Sequence, residues 1–241
     1  MAAADVTTEP AAGDDPIATL RATMHTLVWP GGCAWHAVQT HATLTPYLVE
    51  ESAEFIDAIE RGAPAGDVAS ELGDVLYQVL FHAAIAERDG EGYDFAEVAR
   101  VLNAKLIARH PHVFGDRGHM TVEELNAEWE RLKEDAAGER RGTRGVLEGI
   151  PAGMPTLARA AKVVDRLARA GRLDPALPPA APALGAETAE VAEVDETTEV
   201  DETALGDALL HLVIAAQATG LDPDRALRLA TARLAARAVE E

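Results

Sequence analysis

The chain holds a single cysteine, Cys33, in 241 residues. A lone thiol excludes an intrachain disulfide and a thiolate zinc cluster, and it suits a reducing compartment. Aromatic residues are also scarce, at 4%, while Ala, Leu, Val, Glu and Arg abound, a bias toward helix formers over strand formers. The expected fold class is therefore all-α. Positive charge is short too: 21 basic against 41 acidic residues leave a net charge of -20, which argues against nucleic acid or an anionic membrane surface as a partner. Any anionic substrate would have to be bridged by metal. No apolar run is long enough to span a bilayer, and Met1 to Asp15 lacks the basic region and apolar core of a secretory signal. The expectation is a cytoplasmic protein.

What is present reads as a succession of helices. Residues 1–16 are small and polar and are expected to be disordered. A first helix is expected from Ile17 to Leu27, followed by a compact aromatic loop, Trp29 to Trp35, in which Pro30 and the Gly31-Gly32 pair cannot continue a helix. Trp29 and Trp35 are read as closing the core there, and Cys33 as inert. A second helix is expected from Tyr47 to Glu60, with Thr45 as cap, Pro46 in the first turn and Leu48, Phe55, Ile56 and Ile59 as its buried stripe. A third is expected from Asp67 to Arg88, ended by Asp89-Gly90, and a fourth from Phe95 to Ala108. His110 to Gly115 reads as a loop with packing histidines, and Thr121-Val122-Glu123-Glu124 as a capping box opening a helix to Ala136. Pro155 to Ala170 is amphipathic, and Leu173 to Leu184 is rich in Pro and Ala and reads as extended.

Two clusters of carboxylates stand out on these helices: Glu50-Glu51-Ser52-Ala53-Glu54 and Glu71-Leu72-Gly73-Asp74. Glu51 with Glu54, and Glu71 with Asp74, are three apart and project from one side of their helices, where like charges repel. The short breaker-rich stretch Arg61 to Gly66 favours an antiparallel hairpin that brings the four acids together. An all-oxygen site of this kind suits magnesium, with manganese as a possible substitute, better than zinc or copper. A di-iron carboxylate bundle would require Glu-x-x-His pairs, whereas each pair here is entirely acidic, and His82 reads as a core or partner-facing residue. Magnesium bound through a few carboxylates calls for substrate phosphates, so hydrolysis of a phosphate ester or anhydride follows. Glu50, on the edge of the same face, is the candidate base. Lys105 and Arg109, four apart on the fourth helix, could offer charge to a phosphate, and Asn103 an amide to a base or ribose.

These residues resemble those of the MazG family, within the all-α nucleoside triphosphate pyrophosphohydrolases. The likeness is carried by both acid clusters and by Gln39-Thr40-His41, Pro46-Tyr47-Leu48, Gln78-Val79-Leu80-Phe81-His82 and Arg109-His110-Pro111-His112-Val113-Phe114-Gly115-Asp116. It extends from about Leu20 to the C-terminus, and it departs at Ala34 and His36, where the family usually has Pro and Asp. The resemblance implies magnesium-dependent hydrolysis of nucleoside triphosphates to monophosphate and pyrophosphate by a helical homodimer of low base selectivity, a house-cleaning activity. It makes Glu51, Glu54, Glu71 and Asp74 the metal ligands, with Glu50 close by. Asn103, Lys105 and Arg109 match positions that contact nucleotide.

The last third repeats the first more weakly. Glu187 and Glu190 stand as Glu51 and Glu54 do, and Leu205-Gly206-Asp207 echoes Leu72-Gly73-Asp74. Thr231 to Arg237 echoes Asn103 to Arg109. Ala186 and Ala204 replace the counterparts of Glu50 and Glu71, so the second cluster has lost two carboxylates. The expected organisation is a disordered 1–16, an N-terminal helical domain at 17–138, a linker with one helix at 139–184, and a degenerate C-terminal repeat at 185–241 whose role is packing and dimerisation. A pyrimidine-selective hydrolase of the dUTPase or dCTPase type and a non-catalytic metal- or nucleotide-binding regulatory module are the alternatives.

Overall fold

The computed structural model describes residues 15–116, 118, 120–125, 145–173 and 202–239. Its described secondary structure is helical throughout, as the composition requires: α1 Pro16–Val28, α2 Ala34–Ala37, α3 His41–Glu60, α4 Ala65–Asp89, α5 Phe95–Arg109, α6 Pro111–Phe114, α7 Thr156–Arg169, α8 Glu202–Ala218 and α9 Pro223–Val239. The chain divides into two compact units, Met1–Arg140 and Arg141–Glu241. The expected disorder of residues 1–14, the helix beyond Leu125, most of the Leu173 to Leu184 stretch and the Ala186, Glu187 and Glu190 positions lie outside the described residues.

In the first unit α3 and α4 form the hairpin that the breaker-rich Arg61 to Gly66 segment favours, and α1 packs on α4. The core is small and sits between these three helices: Met24 and Val28 of α1, Leu44 of α3, and Leu80, Phe81, Ala84 and Ile85 of α4. Burying such side chains contributes about 1.5–3 kcal/mol each. α4 stops where Gly90 adopts a left-handed conformation, φ 71°, that a side chain would resist. α5 begins at Asp94, whose carboxylate accepts from the Glu97 backbone N–H at 2.8 Å. The capping box at Thr121 is formed in both directions, Thr121 N–H to Glu124 Oε2 at 2.8 Å and Glu124 N–H to Thr121 Oγ1 at 3.2 Å.

Four expectations need correction. α3 starts at His41 rather than Tyr47, capped by Thr40 and Thr43 in reciprocal hydrogen bonds. Pro46 is consequently inside the helix, where its missing N–H deprives the Ala42 carbonyl of a partner. The Thr45 hydroxyl supplies one, donating to Ala42 O at 2.8 Å. The stripe of Leu48, Phe55, Ile56 and Ile59 is not buried within the chain: Leu48, Ile56 and Ile59 are exposed and Phe55 is half-buried, while Leu44 and Ala58 are the buried residues of α3. The Trp29 to Trp35 loop gives way to helix at Ala34. His110 to Gly115 is likewise a helical turn, because Pro111 at the first helical position costs no hydrogen bond and fixes a helical φ.

The 29–40 segment is held tightly to the hairpin. A Cβ on Gly32 would meet the Thr26 carbonyl oxygen at 2.0 Å, so only glycine lets the loop pass the end of α1. Arg88 of α4 donates to the Ala37 carbonyl at 3.1 Å and to the Gln39 carbonyl at 3.0 Å, and is itself paired with Asp89 at 2.7 Å.

In the second unit α7 packs against α8, with Ala161, Val164, Val213 and Ile214 buried and Leu157, Ala160, Leu173 and Leu210 around them. Arg166 ties the preceding segment to α7 by donating to the Glu148 carbonyl at 2.6 Å. No single described helix is long and apolar enough to cross a membrane.

Candidate metal centre

The antiparallel α3–α4 hairpin sets Glu51 opposite Glu71 and Asp74. One carboxylate oxygen from each of the three lies within 4.8 Å of the others, and among the described residues this is the one convergent set of three or more potential metal ligands. Glu51 and Glu71 are half-buried, so the charges are partly withdrawn from water without any basic side chain ion-paired to them among the described residues. Burial pushes the Glu51 carboxyl above its usual range, and the charges of Asp74, Glu54, Glu50 and Glu71, in that order, push it further. Such crowding of negative charge is the kind of arrangement that a cation would relieve. The donors are all carboxylate oxygens, with no thiolate or imidazole in the set, a hard-donor set.

Glu54 is one turn beyond Glu51 on α3, exposed, and stands outside the convergent trio, although its charge is felt at Glu51. Glu50 is exposed next to Glu51. Asn103 and Lys105 are on the exposed face of α5, and Arg109, at its end, has a buried Nε with no hydrogen-bond partner.

One group near the acids escapes a reading by motif alone. Tyr77 follows Asp74 by one helical turn, and its hydroxyl is 2.8 Å from His36 Nε2. Burial raises the Tyr77 phenol, as do the charges of Cys33, Glu51 and Asp74. His36, stacked on Phe81 with ring centroids 4.9 Å apart, is pushed below its usual value by burial. The signal available in the sequence was the three-residue spacing of Tyr77 from Asp74; nothing local to His36 links it to α4.

Comparison with known proteins bears on the family. The MazG nucleotide pyrophosphohydrolase domain matches residues 39–114, the span that contains the whole hairpin. The chain is 41% identical over 199 residues to an uncharacterized 26.1 kDa protein in the blaB 3' region of Streptomyces cacaoi, covering 82% of this chain and 72% of that one. It is 36% identical over 215 residues to the nucleoside triphosphate pyrophosphohydrolase/pyrophosphatase MazG of Thermotoga maritima, covering 89% and 80%. With the nucleoside triphosphate pyrophosphohydrolase of Escherichia coli K12 it shares 39% identity over 140 residues, 58% of this chain and 52% of the relative, so it spans about half of that protein's length. A protein whose described elements are all helices, with an acidic hairpin and these relatives, is an enzyme of the class that hydrolyses phosphoric anhydrides. The chain belongs to the MazG family.

Proposed function

We propose that the protein hydrolyses nucleoside triphosphates to nucleoside monophosphate and pyrophosphate, with magnesium held by Glu51, Glu71 and Asp74 and with Glu54 completing the acidic wall. The observation that carries this reading is the convergence of the three carboxylates within 4.8 Å of one another across two helices. Magnesium, when bound, polarises phosphate oxygens and lowers the pKa of a coordinated water. Glu50, beside the trio and open to solvent, takes the proton from the attacking water. Asn103, Lys105 and Arg109 are the donors for the nucleotide, a guanidinium and an ammonium offsetting phosphate charge in a chain that is otherwise acidic. Low base selectivity and a house-cleaning role, removing surplus or aberrant nucleotides in the cytoplasm, go with this reading.

The working species is a homodimer. Leu48 is 36%, Ile59 54% and Leu72 52% exposed on the two helices that carry the acids, an apolar surface this chain leaves uncovered. A second copy packed helix to helix would cover it.

The test is pyrophosphate release from a panel of ribo- and deoxynucleoside triphosphates, with magnesium and with chelator. Activity on many bases that vanishes with chelator is the expected result; no release on any nucleotide would overturn the proposal.

A further inference from the structure

A second polar cluster sits apart from the acids, where the start of α3 meets the second half of α4. His41, the first residue of α3, places Nδ1 2.6 Å from Nδ1 of His82, and its Nε2 is 3.1 Å from Oε2 of Glu91, just past the end of α4. The two rings are parallel within 2° and their centroids are 4.9 Å apart. With facing nitrogens so close, the rings meet edge to edge in one plane, as an N–H···N bond demands, rather than face to face.

That geometry limits what can lie between the rings. One proton, and only one, can lie between the two Nδ1 atoms. Either His82 donates to a neutral His41, which donates from Nε2 to Glu91, or His41 is the imidazolium and donates to both neighbours. Both rings charged would set two N–H groups against each other at 2.6 Å, and the bond could not survive. His82 Nε2 is buried with no hydrogen-bond partner, so nothing on its far side would support a positive charge there.

We propose that His41, His82 and Glu91 form a latch that fastens the start of α3 to α4 and holds while the two rings carry at most one positive charge between them, and that the proton that would charge both rings, the second proton, opens it. The surroundings act in the same sense. Burial, followed by the His41 charge, lowers the proton affinity of His82. From the 37–40 side and the end of α4, Arg88 holds the Ala37 and Gln39 carbonyls and pairs with Asp89; Asp89 is the further acid that feels His41. Tyr93 shares Glu91 through a hydrogen bond. On α1, Arg21 is paired with Asp94 and His25 is stacked on Trp29, and on α5 Glu97 pairs with Arg100, so those charged groups are engaged away from the latch. Glu51 shares α3 with His41, and Glu71 and Asp74 share α4 with His82. The latch therefore guards the register between the two halves of the acidic centre.

The test needs no turnover and stands apart from the hydrolase reading. Histidine ring spectra of the ¹⁵N-labelled full chain, in chelator, are followed from about pH 8 to pH 4, together with amide exchange in the first turn of α3. The expected result is a coupled titration. The second proton binds at least tenfold more weakly than to an ordinary histidine, and first-turn protection, corrected for intrinsic exchange, falls at least tenfold across that step. In His82→Phe the pH-linked loss of protection should vanish. If that variant does not fold, Glu91→Gln serves in its place: it should weaken binding of the first proton while preserving the opening at the second. Independent titration of the two rings at ordinary histidine values, or α3 protection unchanged through the second step, would overturn the latch.

Discussion

Carboxylate oxygens of Glu51 and Asp74, contributed by opposite arms of the α3–α4 hairpin, lie within 4.8 Å of each other, with Glu71 inside the same radius. Their proximity is unfavourable in the bare protein, and under the proposed metal role a bound cation would offset it. Glu51→Gln should stabilise the metal-free chain. Like charges at such spacing cost a few tenths of a kcal/mol, so melting temperature in chelator should rise by about 1–2 °C. The variant should also lose most of the further rise that millimolar magnesium gives the native chain. Calorimetry with and without magnesium checks both; a fall in chelator would show that Glu51 is stabilising in the bare site.

The pH dependence has two arms. Glu51 is raised above 4.5 in the folded state, so in chelator its contribution to stability is complete below about that pH and is lost as pH rises through its folded value. His36 and His82 are lowered below 6.5 by burial, so their contribution is present above about that pH and is lost as pH falls through their folded values. Magnesium should therefore raise the melting temperature strongly near pH 7 and hardly at all near the ordinary glutamate range, where Glu51 keeps its proton. A magnesium effect that is equal at both pH values would contradict the Glu51 assignment.

Gly32→Ala should destabilise the first unit by about 2 kcal/mol or more, because the new methyl meets backbone oxygen, which cannot move aside as a side chain could. Denaturant melts measure it. A change under about 0.5 kcal/mol would mean that the 29–40 segment is not held against α1 as described.

Arg88→Ala removes the donors to two backbone carbonyls and the partner of Asp89, and should cost roughly 2–3 kcal/mol. Amide exchange should rise first around Val38 to Thr40, before the core helices are affected. Uniform loss of protection across the unit would instead indicate a general loss of packing.

The helices themselves were readable because local rules decide them. The end of α4 at Gly90, the cap at Asp94 and the capping box at Thr121 all depend on side chains within a few residues. The hairpin that sets Glu51 against Glu71 and Asp74 was readable for a related reason, since two helices joined by a short turn have little choice of geometry; the three-residue spacing also pointed to Glu54, which stands outside the convergent set. The start of α3 was not, because Pro46 is a first-turn residue by every local preference, and only the Thr45 hydroxyl at Ala42 O makes it tolerable further in. Leu48, Ile56 and Ile59 have helical periodicity, which reports an apolar face without saying whether this chain or another molecule covers it. The His36–Tyr77 and His41–His82 contacts join residues far apart in the chain, and no spacing rule reaches that far.

Pyrophosphate release by the native chain and by Asp74→Asn and Glu71→Gln, followed across a magnesium titration, measures whether the acidic hairpin carries out the hydrolysis. The native protein should release pyrophosphate only when magnesium is present, and each variant should lose roughly a hundredfold or more of that rate at any magnesium concentration, the magnitude associated with removing one charge-stabilising group. Full activity in both variants, or native release that persists in chelator, would show that the acidic hairpin is not the seat of the chemistry.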